Sequence, residues 1–264
     1  KDIKAISFTG GTKTGAHLAK TCAPMFKKLS LELGGKNPNL IFADCNYEDM
    51  LTTTVRSSFS NQGQICLCGS RIFVERSIYE KFKSDFISKV KDLVVGHPSQ
   101  ESTNLGALVS KSHLEKVEDY IHNAQTYSGT VLCGGKRVTV AGYENGYYLE
   151  PTVIEVDSND CKLNQEEIFG PVVTIMPFDT EEEALALANG TKYGLSATVW
   201  TQQLDRTMRL SNALEAGIIW VNTWMNRDLR TPFGGVKASG VGREGGFEAL
   251  RFFTEAKNVC IKYN

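Results

Sequence analysis

The sequence predicts an α/β fold with a mostly parallel β-sheet and flanking helices. Short apolar, strand-like runs alternate along the 264 residues with stretches whose apolar residues recur at helical spacing. Glycine-rich turns punctuate the order, and no internal repeat or low-complexity tract interrupts it. This alternation is typical of strand–helix–strand units, in which helices join parallel strands.

Residues 1–100 contain four predicted strands and three predicted helices. Pro24 ends the first helix, because proline lacks the backbone N–H that a helix interior needs. Ser77 and Glu80 have the spacing of a capping box, which predicts that a helix opens at Ser77. The strands are residues 5–8, 28–33, 38–42 and 71–74, and the other helices are residues 12–23 and 47–61.

The rest of the chain continues the alternation of predicted strands and helices. Thr180 and Glu183 form another predicted capping box, which leads a short helix rich in alanine and leucine. The other helices are residues 112–124 and 205–214, the strands are residues 172–178, 198–201 and 217–222, and glycines mark loops at 134–135 and 142–146. The final stretch, residues 254–263, has the pattern of a lone strand, which must pair elsewhere, for example with another subunit.

Composition excludes several classes of partner. The 29 Lys and Arg residues balance 30 Asp and Glu residues, and a net charge of −1 does not favour nucleic acid or an anionic membrane. No apolar run has the length that crosses a bilayer. The seven cysteines are odd in number and irregularly spaced, which favours reduced thiols in the cytoplasm. Cys66 and Cys68 have no second Cys or His pair nearby, so no metal site is expected.

Three segments contain residues suited to catalysis, and each also has a simpler interpretation. Gly10 and Gly11 lie in a strand-to-helix turn that can admit a phosphate or a flat ring, or that is merely tight. Glu32, between two leucines and before a double glycine, is a candidate general base with a raised pKa, or an edge-strand residue that faces water. Cys66, in a loop after a helix, is a candidate nucleophile or an inert packing residue.

Taken together, these segments resemble the aldehyde dehydrogenase superfamily, and the resemblance covers the whole chain. Glu32 lies in LELGGKNP and Cys66 in NQGQICLC, in the order of the family and with a family-like separation of 34 residues. Residues 166–172 (EEIFGPV) look like the segment that contacts the cofactor. Residues 232–240 (PFGGVKASG), followed by GRE, look like the C-terminal signature.

The resemblance implies a catalytic role for two residues. Cys66 resembles the nucleophile that attacks the aldehyde carbon, and the thiohemiacetal becomes a thioester after hydride leaves. Glu32 resembles the base that activates water to hydrolyse this thioester. The backbone N–H of Cys66 would supply part of the oxyanion hole.

The resemblance also implies that NAD is the cofactor, with NADP not excluded. Glu167 is similar to the Glu that holds the nicotinamide ribose, and Phe169 to the aromatic residue beside the ring. Gly10 and Gly11 match the turn that faces the nicotinamide end, and Leu33 matches a position whose backbone can meet the carboxamide.

Two positions on the predicted helix 112–124 have a competing interpretation. By resemblance, His113 and Lys116 match residues that can touch the adenosine ribose. A solvated helix face is the alternative for both. Cys68 occupies a position that is often small and apolar in the family, which indicates a packing role.

Residues 222–233 carry the information on substrate, because in the family this loop lines the substrate tunnel. Arg227 falls where many members have an aromatic residue, and its guanidinium could bind a carboxylate in a forked arrangement. Trp224 and Phe233 belong to the same loop. Ser60 falls where members of broad specificity have a bulky aromatic residue, so the tunnel is expected to be polar and roomy.

The loop resembles the branch that oxidises 2-aminomuconate or 2-hydroxymuconate semialdehyde, substrates with an acid group far from the aldehyde. The alternatives are an ion pair of Arg227 with Asp228 or a neighbouring chain, and a role of Arg230 at the surface or behind the substrate site. An aldehyde dehydrogenase of other specificity, for aliphatic aldehydes or retinal, and a non-catalytic oligomerisation module are the alternative functions.

The resemblance implies a division of the chain into parts. Residues 1–33 would be the C-terminal part of a Rossmann-like cofactor domain, residues 34–238 the catalytic domain, and residues 239–264 a returning helix and an oligomerisation strand. The first half of the family pattern is absent, which predicts a C-terminal fragment that is inactive alone. We also expect a homo-oligomer, dimer or tetramer, formed through the terminal strand.

Overall fold

The computed structural model describes residues 2–264, and its largest unit is a seven-stranded sheet. The strands are β1 (Ala5–Thr9), β2 (Lys28–Glu32), β3 (Asn37–Ile41), β4 (Gly69–Glu75), β5 (Gly129–Cys133), β6 (Thr152–Val156), β7 (Val172–Phe178), β8 (Tyr193–Gly194), β9 (Ser196–Trp200), β10 (Ile218–Val221), β11 (Val236–Lys237) and β12 (Gly240–Val241). The large sheet has the order β10-β9-β3-β4-β7-β6-β5. All of its neighbouring strands run parallel except β5 and β6, as the alternation of strands and helices predicted.

The helices are α1 (Thr12–Cys22), α2 (Tyr47–Phe59), α3 (Arg76–Lys91), α4 (Lys111–His122), α5 (Lys162–Gln165), α6 (Glu181–Asn189), α7 (Leu204–Ala213) and α8 (Gly246–Phe253). Helices cover both faces of the large sheet. Apolar residues of α2 and α3 pack with one set of strand residues, and those of α6 and α7 pack with the other set. Ile41 belongs to the first core and its neighbour Leu40 to the second, because successive strand side chains point to opposite faces.

A smaller sheet joins the two ends of the chain. Its order is β1-β2-β12, with β1 and β2 parallel and β12 antiparallel to β2. Gly240 pairs with Glu32, and Leu33 N–H donates to the Ser239 carbonyl at 2.9 Å. The segment after residue 238 therefore returns to the sheet that contains the candidate base. The predicted functional division at residues 33/34 and 238/239 stays a prediction.

A buried arginine fixes the start of β3. Arg71 is 0% exposed and donates to the carbonyls of Lys36 at 2.8 Å, Leu187 at 2.9 Å and Ala188 at 2.8 Å. The last two carbonyls end α6, so one guanidinium joins β4, α6 and the segment before β3. Five N–H donors in a planar group suit this set of acceptors.

Most elements lie where the sequence predicts them, with three differences. Residues 255–264 form no strand, because no strand of the described chain lies beside them to accept their backbone hydrogen bonds. Strands β5 and β6, the two-residue strands β8, β11 and β12, and the short helix α5 were not predicted. The capping box at Ser77 is wrong, because α3 begins at Arg76 and its N-cap is Glu75. The box at Thr180 is confirmed, since the Thr180 hydroxyl accepts from Glu183 N–H.

Candidate active site

The candidate nucleophile lies in the turn of residues 65–68, between α2 and β4. A 3-10 turn, Ser60–Gly63, follows the helix, and its residues Asn61 and Gln62 have left-handed backbone with φ of 49° and 56°. Cys66 is half-buried. Burial raises the pKa of its thiol to about 11, and the carboxylates of Glu167 and Glu32 act in the same direction. The thiol is therefore protonated at neutral pH and needs a base before it can attack.

The carbonyls of residues 66–68 accept hydrogen bonds from two buried side chains. Asn37 Nδ2 donates to the carbonyl of Cys66 at 2.7 Å and to that of Cys68 at 2.8 Å. Trp224 Nε1 donates to the carbonyl of Leu67 at 3.0 Å. Sequence reasoning did not single out Asn37. The only feature of the sequence that could have indicated Asn37 is an amide side chain beside Pro38 in an apolar strand. That feature does not reveal which carbonyls the amide binds.

The candidate base ends β2 in an apolar setting. Glu32 is 4% exposed, and within residues 2–264 neither carboxylate oxygen has a hydrogen-bond partner. Burial raises the pKa of Glu32 to about 7, with a further contribution from Glu244, while Arg243 and Arg227 act in the opposite direction. A carboxyl group with this pKa can accept and return a proton near neutral pH.

One cleft of about 520 Å³ contains Cys66 and all of the residues predicted to contact the cofactor. The cleft lies between the Gly10–Gly11 turn, the Leu33–Gly34 segment and α4. Its predicted members are Gly10, Gly11, Leu33, His113, Lys116, Glu167 and Phe169. The individual cofactor contacts stay predictions, but the structure does bring these residues together.

Glu167 is seated on the double glycine of the LELGGKNP segment. Gly35 N–H donates to Glu167 Oε1 at 2.9 Å, and a Cβ on Gly34 would collide with the same carboxylate. Burial raises the pKa of Glu167, whereas Gly35 N–H and the ammonium groups of Lys36 and Lys116 lower it. The double glycine thus allows the carboxylate to approach the backbone closely.

Helix α4 holds the segment that carries Glu167 and Phe169. His113 Nε2 is hydrogen-bonded to the Phe169 carbonyl at 2.6 Å, and Lys116 Nζ donates to the carbonyls of Glu167 at 3.1 Å and Ile168 at 3.3 Å. Phe169 has φ of 60°, a left-handed conformation that costs a non-glycine residue about 1–2 kcal/mol. His113 and Lys116 therefore support a strained segment in addition to lining the cleft, and their predicted contact with the adenosine ribose stays a prediction.

The predicted substrate loop presents a guanidinium without a carboxylate partner. Arg227 is exposed, and its guanidinium carbon lies 4.3 Å from the centre of the Phe233 ring. Within residues 2–264, Asp228 is paired with Arg230 at 2.5 Å, so the alternative ion pair of Arg227 with Asp228 is wrong. Phe233 and Cys66 pack against the same apolar cluster, and Gly234, the neighbour of Phe233, lies against the Glu32 carboxylate, so Arg227 stands close to both candidate residues. Its charge lowers the pKa values of both Glu32 and Cys66.

The other predicted substrate residues occupy different places. Trp224 is 5% exposed and packs in an apolar cluster with Leu67, with Cys66 and Phe233 at its edge. The Ser60 hydroxyl donates to the Arg56 carbonyl at 2.7 Å, at the end of α2. Trp224 and Ser60 thus make hydrogen bonds within the protein, and their contact with substrate stays a prediction.

The described residues contain neither a candidate metal cluster nor a membrane-spanning helix. Within residues 2–264, no three His, Cys, Asp or Glu side chains are grouped so that they could hold a metal ion. Every helix there is too short or too polar to cross a membrane.

Comparisons with known proteins agree on one family. A family model described as "Aldehyde dehydrogenase family" matches residues 1–259. A 2-aminomuconic semialdehyde dehydrogenase of Mus musculus is 49% identical over 265 residues, which are 99% of this chain and 54% of the relative. A 2-hydroxymuconic semialdehyde dehydrogenase of Pseudomonas sp. (strain CF600) is 44% identical over 262 residues, again 99% of this chain and 54% of the relative. The chain therefore spans about half the length of these curated relatives.

Solved structures agree with the fold. The crystal structure of betaine aldehyde dehydrogenase from Staphylococcus aureus in complex with NAD⁺ has a TM-score of 0.91 and is 39% identical. The similarity covers 94% of this chain and 49% of that chain.

Proposed function

The chain belongs to the aldehyde dehydrogenase family, and on that premise we propose that it carries the nucleophile, the base and the nicotinamide side of a site that oxidises an acidic semialdehyde. The proposed substrate is 2-aminomuconate or 2-hydroxymuconate semialdehyde, and the product is the corresponding carboxylic acid. The observation that carries the proposal is the position of Arg227, which has no carboxylate partner within residues 2–264 and stacks on Phe233, beside the cluster that includes Cys66 and next to the Gly234 that meets Glu32.

The residues of the cleft fit the nicotinamide half of NAD. The buried carboxylate of Glu167 can accept from ribose hydroxyls, and the Phe169 ring can flank the nicotinamide. A Cβ on Gly11 would meet no atom within 4 Å, so this turn leaves open space on the cleft side. When bound there, NAD supplies the acceptor for the hydride that leaves the aldehyde carbon. The preference between NAD and NADP stays open.

The first covalent step uses the sulfur of Cys66. A base removes the thiol proton, the sulfur forms a bond to the aldehyde carbon, and the carbonyl electron pair moves to the oxygen. The N–H of Cys66 would donate to that oxygen, since a donor is worth most where negative charge develops. Loss of hydride then leaves a thioester on Cys66.

The second step uses Glu32. A carboxylate with a pKa of about 7 can take a proton from water while the water oxygen attacks the thioester carbonyl. The bond between carbon and sulfur breaks, and the acid is released. Within residues 2–264 the buried Glu32 carboxylate accepts no hydrogen bond, so it can bind the proton without first losing one.

Arg227 would bind the acid group at the far end of the substrate. Its planar guanidinium suits a carboxylate, and the Phe233 ring beneath it restricts the side chain. The replacement Arg227→Ala is expected to raise KM for the acidic semialdehyde by about 10-fold or more, the loss of one charge-assisted contact. KM for a neutral aldehyde should change little.

Arg230→Ala is the matched control for this assignment. Arg230 lies in the same exposed loop, but its guanidinium is paired with Asp228. Arg230→Ala should leave the ratio of KM for the acidic semialdehyde to KM for the neutral aldehyde unchanged. Equal effects of Arg227→Ala on acidic and neutral aldehydes would remove the reason for the proposed substrate.

The activity itself is tested by nicotinamide reduction with 2-hydroxymuconate semialdehyde and an excess of NAD. We expect no turnover by this chain alone, and turnover when it is joined to the N-terminal half of its mouse relative. Cys66→Ala in the joined protein is the control for background reduction. Turnover by this chain alone would contradict the expected inactivity, and absence of turnover in the joined protein would favour a non-catalytic module.

We also propose self-association through the C-terminal segment, as a dimer or tetramer, in the reducing environment of the cytoplasm. Val259, Ile261 and Tyr263 alternate with polar residues and are exposed, as expected of a strand that lacks its neighbour. All seven cysteines are free, which fits a reducing compartment.

A further inference from the structure

Three successive peptide carbonyls that begin at the nucleophile accept hydrogen bonds from side chains. Asn37 Nδ2 donates to the carbonyls of Cys66 and Cys68, at 2.7 and 2.8 Å. Trp224 Nε1 donates to the carbonyl between them, that of Leu67, at 3.0 Å. Asn37 begins β3, whereas Trp224 belongs to the loop that carries Arg227. Two separate parts of the chain therefore hold one turn.

Both donors are themselves held in place. Asn37 is 3% exposed, and its Oδ1 accepts from Ser196 N–H at 3.1 Å. Trp224 packs edge-on against Trp220, with ring centroids 6.5 Å apart. A rotation of either donor away from the turn would leave buried polar groups without partners.

The turn of residues 65–68 also fixes the direction of the Cys66 N–H. Cys68 N–H donates to the Ile65 carbonyl at 3.0 Å, which sets the plane of the peptide between Ile65 and Cys66. Because the peptide is planar, the N–H of Cys66 must point away from that carbonyl. Within the described chain this N–H donates to no other residue, so it is available to a ligand.

We propose that Asn37 and Trp224 are positioning residues, which hold the turn of residues 65–68 so that the sulfur and the N–H of Cys66 keep a fixed mutual placement. This inference rests on the proposed function, in which Cys66 is the nucleophile and its N–H meets the developing oxyanion. Trp224 also joins the nucleophile turn to the loop of Arg227, so that the reacting sulfur and the proposed carboxylate site share one support.

The test measures the alkylation of Cys66 by iodoacetamide across a pH series, with peptide mapping by mass spectrometry. The variants are Trp224→Phe, which keeps an aromatic ring but removes the N–H, and Asn37→Ser. Loosening of the turn should admit water and weaken the burial that raises the pKa of Cys66. We expect the midpoint of the pH profile to fall and the rate near neutral pH to rise by about threefold or more.

Trp220→Phe is the matched control. It removes an indole N–H from the same ring pair, but this donor is bound to the Asn226 carbonyl at 3.0 Å rather than to the turn. Cys260, which is exposed, corrects for reagent reactivity, and the buried Cys133 reports general loosening of the fold. Trp220→Phe should leave the Cys66 profile unchanged, and the rates of Cys260 and Cys133 should stay constant in all three variants.

The inference is overturned if folded Trp224→Phe has the same Cys66 profile as Trp220→Phe, or if Cys133 accelerates together with Cys66. Cooperative thermal unfolding identifies the folded variants, and Trp224→Phe decides alone if Asn37→Ser does not fold. The measurement needs neither aldehyde nor NAD. An inactive joined protein with a shifted Cys66 profile would therefore reject the proposed function alone, and an active one with an unshifted profile would reject the positioning role alone.

Discussion

Glu32 combines deep burial with two carboxylate oxygens that lack partners in the described chain. Its pKa is about 7 in the folded chain, above the ordinary value of 4.5. Between these two values the folded state binds more protons than the unfolded state, so the free energy of unfolding falls as the pH rises through this window. The loss is complete above the folded pKa and amounts to at most about 3 kcal/mol.

Replacement of Glu32 by glutamine should remove this part of the pH dependence. Urea unfolding of Glu32→Gln and of the unchanged chain at pH values below and above the window would measure it. We expect the unchanged chain to lose stability relative to the variant by up to about 3 kcal/mol as the pH rises. Glu80→Gln, at an exposed carboxylate, should follow the unchanged chain. Parallel pH profiles for Glu32→Gln and the unchanged chain would show that the carboxylate titrates normally.

At the residue scale, motifs led to the candidate nucleophile, the candidate base and the residues of the cleft, because each chemical type has a characteristic neighbourhood in sequence. Cys66 lies in a loop shortly after Gly63, and Glu32 precedes a double glycine. Asn37 and the support that α4 gives to Phe169 were not predicted. Their meaning depends on contacts between residues far apart in sequence, such as His113 with Phe169, and such contacts leave no local pattern.

At the element scale, two identical sequence spacings had different outcomes. Thr180 caps α6, since its hydroxyl accepts from Glu183 N–H at 3.2 Å. Ser77 lies inside α3, because that helix starts directly after β4, and its hydroxyl donates to Glu75 at 2.9 Å. The start of α3 is set by the end of a buried strand, which overrides the capping pattern.

The two sites predict different costs of truncation. Thr180→Ala should lower the free energy of unfolding by about 1 kcal/mol, the usual contribution of an N-cap. Ser77→Ala should lower it by less than about half of that, because no cap is lost there. Chemical denaturation of both variants measures the difference. A larger loss at Ser77 than at Thr180 would contradict the observed helix starts.

Strands β5 and β6 were missed for a related reason. The segment of β5 reads GTVLC and follows a turn, and β6 is separated from it by a polar loop that hides their pairing. Register shifts between Val131 and Cys133 further break the regular alternation. For residues 254–263 the error is the opposite, since a strand was predicted and none forms. A strand-like pattern cannot form a strand without a neighbouring strand.

At the scale of the whole molecule, an exposed apolar surface runs from the start of the chain to α8. Phe26 is 95% exposed, Phe247 is 80% exposed and Phe253 is 68% exposed. A surface of this kind on a soluble protein marks a region that is covered in an assembly or is prone to association. The fold class was predictable from the alternation of elements, but the extent of this surface was not.

This surface should therefore contribute to association in addition to the C-terminal segment. We expect sedimentation velocity to show assemblies of this chain whose proportion increases with concentration, and the double variant Phe26→Asp/Phe253→Asp to lower this proportion over the same range. Leu204→Asp, at another exposed apolar residue on α7, is the control and should associate like the unchanged chain. An unchanged proportion of assemblies in the double variant would place the contact elsewhere.

The pairing of β12 with β2 has a consequence for folding during synthesis. Gly240 meets Glu32 in that pairing, so the pocket around the carboxylate is completed by residues that leave the ribosome long after Glu32 itself. Contacts between such distant residues form late, since a long loop must close first. A nascent chain that has not reached residue 240 would thus leave Glu32 less buried, and the carboxylate would acquire its unusual affinity for protons only after β12 has paired.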